Sequence, residues 1–139
     1  MSNDVWVRIP PEALVLIYKG NDMKKIFIIC SVRDASKEYK DKLETYTEKL
    51  EKEGCVVHLP HRDTDQTASG LDICKQNACA IFNSDEVHIF YTKESQGTHF
   101  DMGVAFALNK KIVIIENEPL TEGKSYQRML MEWRDSKLI

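Results

Sequence analysis

The sequence predicts a single α/β domain on a doubly wound parallel sheet of about four to five strands, a flavodoxin-like or Rossmann-like three-layer sandwich. Three observations carry that expectation. Short apolar runs alternate with segments of helical periodicity, in the order βαβαβαβα from Lys25 onward. The apolar runs are continuous rather than alternating, as in strands covered on both faces. At 139 residues, the chain suits one domain with an ordinary core.

Residues 1–22 stand apart, with Pro10-Pro11, an isolated apolar run from Ala13 to Tyr18, and the turn-like Gly20-Asn21-Asp22. They read as an N-terminal extension, and residues 23–139 as the domain. Ile26 to Cys30 forms the first strand. Ser36 to Glu53 is a helix, because Tyr39, Leu43, Tyr46 and Leu50 recur at helical spacing and Gly54 supplies the stop. Cys55 to Leu59 is a second strand, ended by Pro60. His61 to Gly70 reads as a polar loop, longer than most connections in such domains. A helix over Leu71 to Asn83, a strand over Glu86 to Tyr91, a helix over Thr98 to Leu108 and a strand over Lys111 to Glu116 follow. The last helix covers Gly123 to Ser136, with Tyr126, Met129, Leu130 and Trp133 on one face.

Composition narrows the function. A net charge of -3 gives no basic field for nucleic acid. No apolar run reaches the length of a membrane span and no signal peptide is visible, so the expected location is the cytoplasm. Cys30, Cys55, Cys74 and Cys79 form no CxxC pair and are expected to be reduced and buried.

Ligands of such sheets bind beyond the carboxyl ends of the strands, where strand order reverses. That singles out the loops 31–36, 60–70 and 92–98. In the last, Gly97 allows a close backbone approach, and the helix starting near Thr98 offers free N–H groups and a positive dipole end. Ser95 adds a hydroxyl. Asp101 lies three residues after Thr98, the spacing of a capping box, so spacing alone leaves a cap and a catalytic carboxylate both open. Asn77 shares a helix face with Ile73, Ala80 and Ile81, and a buried amide needs a partner, either a loop or a reaction. Ser31 and Arg33 follow the first strand, and Arg33 could clamp a phosphate or pair with a nearby carboxylate such as Asp34. His58 and His61 have HxxH spacing but no evident third ligand, so neither a metal nor another cofactor is expected. His61, Arg62, Asp63 and Asp65 form a loop able to touch a base or sugar, while His88 and His99 are expected to be structural.

Three segments resemble one family. FIICSVR is similar to the YFxGSIR-type opening of nucleoside 2-deoxyribosyltransferase-like enzymes, and NACAIFNSDEVHIF to their D-x(7)-D block and following strand. SQGTHFDMGVAFALNKKIVII resembles their SxGTxxELGxAxAxNKxI segment, the most specific of the three. The similarity runs from Lys25 to about Glu116 and is nearest the branch that hydrolyses nucleoside 5'-monophosphates.

The resemblance implies cleavage or exchange of an N-glycosidic bond through a carboxylate nucleophile, by the logic of a retaining glycosidase. It implies a small nucleoside or nucleotide as partner, and a homodimer, for which Met102, Phe106, Met129 and Met131 offer apolar surface unless they are core. It puts Asp101 at the nucleophile, Ser95 at a phosphate-binding serine, and Ser31 and Arg33 at first-loop contacts. Three positions depart from the family pattern. Asp101 replaces the usual Glu, Asn77 an acidic helper, and Phe27 a tyrosine that orients the nucleophile. Misplacement by about 1 Å costs on the order of a hundredfold in rate. Two outcomes follow: cleavage with His61, Asp63 or Asp65 protonating the base, or nucleotide binding without catalysis, as a sensor. An NAD-cleaving domain is a third reading, and the SQGTHFDMG spacing fits it less well.

Overall fold

The computed structural model describes residues 23–136, so the extension 1–22 lies outside the described residues. Four strands, β1 (Lys25–Ile29), β2 (Val56–His58), β3 (Glu86–Phe90) and β4 (Lys111–Glu116), pair in parallel in the order β2-β1-β3-β4. The helices are α1 (Lys37–Lys52), α2 (Pro60–Asp63), α3 (Gly70–Phe82), α4 (Gln96–Ala107) and α5 (Tyr126–Asp135). The doubly wound sheet expected from the sequence is therefore present, with four strands.

Each face of the sheet owns one half of the core. Ile26, Ile28 and Phe90 point toward α1, where they meet Leu43 and Leu50. Phe27, Ile29, Val87 and Ile89 point the other way, toward Ile81, Met102, Ala105, Leu130 and Trp133 of α3, α4 and α5. The continuous apolar strands are explained by this, since alternate residues bury on opposite faces. Burying each such side chain contributes about 1.5–3 kcal/mol before chain entropy is set against it.

Helix starts are set by side-chain caps. Ser36, Ser69, Ser95 and Ser125 each accept a hydrogen bond from the main-chain N–H three residues on, an arrangement worth about 1 kcal/mol per cap. This moves two predicted boundaries. The helix expected from Thr98 begins at Gln96, because Ser95 caps it. The last helix begins at Tyr126 behind Ser125 rather than at Gly123. The polar loop 61–70 also contains the one-turn helix α2, which Pro60 starts at its first position.

Two other expectations are corrected. Met102 is core at 2% exposure and offers no interface surface, Met129 is half-buried against the same cluster, and Phe106 is 59% exposed. The cysteines are free, but only Cys30 is buried and Cys79 is exposed on α3. Among the described residues no helix is long and apolar enough to cross a membrane.

Candidate functional site

The chain moves outward from β1 to β2 on one side and from β3 to β4 on the other, so strand order reverses between β1 and β3. The loop after β1 carries Ser31 and Arg33, and the loop after β3 leads through Ser95 into the first turn of α4 at Gln96 to Thr98. This is the crevice where a doubly wound sheet leaves room for a ligand.

Asp101 lies one turn inside α4 and is 4% exposed. It does not close a capping box, because the Thr98 N–H is already bonded to Ser95 Oγ at 3.2 Å. Its hydrogen-bond partner is Asn77 of α3, whose Nδ2 donates to Oδ2 at 3.3 Å. Among the described residues no hydrogen bond reaches Oδ1. Burial dominates the ionisation of this carboxyl and raises its pKa to about 7, with the Asn77 amide pulling weakly the other way. A carboxyl half-ionised at neutral pH, with one oxygen held and one free, is a poor structural element and a serviceable nucleophile. The thiol of Cys30, at the end of β1, feels the same charge. Burial first, and Asp101 second, push it up to about 12.

Asn77 is itself buried, and its carbonyl accepts from Thr64 Oγ1 at 2.7 Å. The amide thus has two partners, a residue of the preceding loop and the Asp101 carboxyl. Thr64 Oγ1 in turn meets His58 Nε2 at 2.8 Å. Phe27 lies over the His58 ring, 5.1 Å between centroids and 15° between planes. The sequence singled out His58 only for its HxxH spacing and Thr64 not at all, since both are separated from Asn77 along the chain and no periodicity links them.

Around the start of α4, Ser95 Oγ accepts from Thr98 N–H and keeps its own hydrogen for a ligand. The N–H groups of Gln96 and Gly97 are the orphan donors of the first turn. Thr98 is fully buried, and among the described residues its Oγ1 has no partner. A Cβ on Gly97 would meet nothing within 4 Å, so nothing in the protein's own packing requires glycine there. Gly97→Ala is therefore expected to stabilise the fold by up to about 1 kcal/mol while weakening ligand binding. A thermal melt paired with a binding titration checks both. Unchanged binding would remove Gly97 from the site.

The remaining candidates are distributed unevenly. Arg33 is exposed and, among the described residues, pairs with no carboxylate, Asp34 included. Asp34 occupies the left-handed region at φ 58°, which shapes the turn. In the second loop, Asp63 accepts from Leu59 N–H and from Arg62, which also bonds Glu51. Burial alone would raise the Asp63 carboxyl, but those partners more than offset it and hold it low. Asp65 is bonded to the hydroxyl and N–H of Thr67, which lower it likewise. Both carboxylates thus hold the loop in shape. His61 differs: both ring nitrogens are buried and, among the described residues, without a partner, and burial first, then Lys40, lowers the pKa of the ring. No hydrogen bond or ring contact joins His61 to Asp101. Tyr39 of α1 is an addition, its buried hydroxyl lying beside Ser31 and Thr92. His99 bonds Tyr91 and the Ser95 carbonyl, and His88 bonds Glu86 and Tyr46.

The fold and the position of the site define a doubly wound α/β protein of the class that binds its ligand at the switch point of the sheet. Residues 29–131 match the family described as Nucleoside 2-deoxyribosyltransferase, and the chain belongs to that family, whose chemistry is glycosyl transfer or cleavage on nucleosides and nucleotides. Among solved structures it is similar to the CMP N-glycosidase BcmB of Clostridium botulinum, at 23% identity and TM-score 0.54, covering 78% of this chain and 80% of that one. It is also similar to the 2-desoxiribosyltransferase from Leishmania mexicana, at 23% identity and TM-score 0.54, covering 68% of this chain and 65% of that one. No curated protein matches it.

Proposed function

We propose that this protein cleaves, or transfers across, the N-glycosidic bond of a nucleoside 5'-monophosphate, with Asp101 as nucleophile. The observation that carries the reading is the Asp101 carboxyl itself: buried in α4, with a raised pKa, and bonded, among the described residues, through one oxygen only. Its free Oδ1 attacks C1' and forms a glycosyl ester. The C1'–N bond breaks, its electron pair leaves with the base, and the base takes up a proton from solvent. Water or a second base then attacks C1', and the carboxylate departs. His61, half-buried and with no hydrogen-bond partner at either ring nitrogen among the described residues, is the group we assign to the base edge. Ser95, Ser31, the free N–H groups of α4 and Arg33 supply the donors that a 5'-phosphate requires.

A second reading is nucleotide binding without turnover. Asn77 favours it, since an amide stands beside Asp101 where an acid would protonate the leaving base. The two readings separate by chromatography of base released from a panel of ribo- and deoxyribonucleoside 5'-monophosphates, with Asp101→Ala as control. Release by the wild type alone supports the enzyme. No release, with nucleotides raising the melting temperature, supports the binder.

Arg33→Ala is expected to weaken phosphate-bearing ligands about ten- to a hundredfold and their dephosphorylated forms little. Isothermal titration of each pair checks it, and equal losses would move the phosphate elsewhere. The exposed Leu71, Phe82, Phe100 and Phe106 on α3 and α4 support the homodimer, which sedimentation would test.

A further inference from the structure

The hydrogen bonds behind Asp101 form one line from β2 to α4, and their direction follows from the carboxylate. An ionised carboxylate only accepts, so Asn77 must turn its N–H toward Oδ2. Its carbonyl then faces Thr64, whose single hydroxyl hydrogen is used there. Thr64 Oγ1 has only lone pairs left for His58, so Nε2 must carry a hydrogen. Thr64 is 4% exposed and Asn77 8%, so water does not easily substitute for either partner. Phe27 holds the imidazole plane by stacking.

We propose that His58 and Thr64 are positioning residues that lock the Asn77 amide with its N–H toward Asp101. The inference rests on Asp101 being the reacting carboxylate. An asparagine without this support could turn its carbonyl toward Asp101, and that arrangement is tolerable only when the carboxyl is protonated. The lock thus favours the ionised, attacking form. It also gives a role to Phe27, which carries no hydroxyl but fixes the ring that begins the line. The groups that face this line and could obscure its titration are Cys30 at Asp101, and Asp63 and Arg62 at His58.

The test is the carboxyl carbon NMR titration of Asp101 in the wild type, Thr64→Val, Thr64→Ser and His58→Phe, with the imidazole nitrogen shifts of His58 read in the same wild-type sample. Thr64→Val is expected to move the Asp101 midpoint upward by about half a pH unit or more. His58→Phe should move it in the same direction, and Thr64→Ser should leave it near the wild type. His58 should titrate from the Nε2–H tautomer. If base release is observed, Thr64→Val should lower kcat with little change in KM. An unmoved midpoint in folded Thr64→Val, an equal shift in Thr64→Ser, or an Nδ1–H tautomer would each overturn the proposal. Should Thr64→Val not fold, His58→Phe decides alone. The titration needs no turnover, so a shifted midpoint in a protein that releases no base would keep the lock and reject the enzyme.

Discussion

Asp101→Asn is expected to make the protein more stable by about 3–4 kcal/mol at pH 8 and to change nothing at pH 4. The cause is the burial that raises the folded pKa of Asp101 to about 7, against 3.8 for an ordinary Asp. The unfolded chain gives up this proton near pH 4, whereas the folded one keeps it until about pH 7. Between those values the unfolded state binds fewer protons, so wild-type stability falls as pH rises and stays reduced above pH 7. Asparagine is uncharged throughout, has nearly the same shape, and can still accept from Asn77 Nδ2. Urea unfolding of both proteins at pH 4 and pH 8 isolates the effect, because Cys30, His58 and the other titrating groups are common to both. A variant no more stable than the wild type at pH 8 would show that Asp101 is solvated or paired after all.

That cost explains why a carboxylate at this position is informative, and why the sequence could only half reveal it. The fold was legible because each strand is an unbroken apolar run and each long helix has a periodic stripe, and both patterns are local. The site depended on contacts that are not. Ser95-x-x-Thr98 and Thr98-x-x-Asp101 are overlapping capping patterns, and spacing cannot choose between them. The structure gives the Thr98 N–H to Ser95, which moves Asp101 into the body of α4 and under the neighbouring helix. Pro60 illustrates a second ambiguity. A proline that ends a strand is also well suited to start a helix, so the loop 61–70 gained a turn that the sequence reading did not contain. That turn matters for the site, because Asp63 ties it off by accepting from Leu59 N–H and Arg62, and Thr64 just beyond it reaches Asn77. Arg33 is the reverse case. Its two fates were open in the sequence, and the absence of any ion pair among the described residues leaves it available to a ligand.

Asp101→Ala is expected to reduce base release by a thousandfold or more, on the order seen when a nucleophile is removed from other enzymes. Loss of a group that merely shaped the pocket would cost far less. The wild-type rate at low substrate should climb about tenfold per pH unit below pH 7 and level off above it, because only ionised Asp101 attacks. Initial rates across pH 5–9 check the profile, and a flat curve, or a variant retaining a tenth of the activity, would place the nucleophile elsewhere. The two Asp101 experiments constrain each other. Burial that destabilises the carboxylate also strips it of water, which is what makes it reactive toward C1'. Relieving the penalty and losing the activity are then consequences of one substitution. An Asp101→Asn protein that is both stabilised and inactive matches a nucleophile held at the expense of the fold. One that is stabilised but binds nucleotide unchanged, in a background where the wild type releases no base, matches a carboxylate retained on a scaffold that no longer turns over.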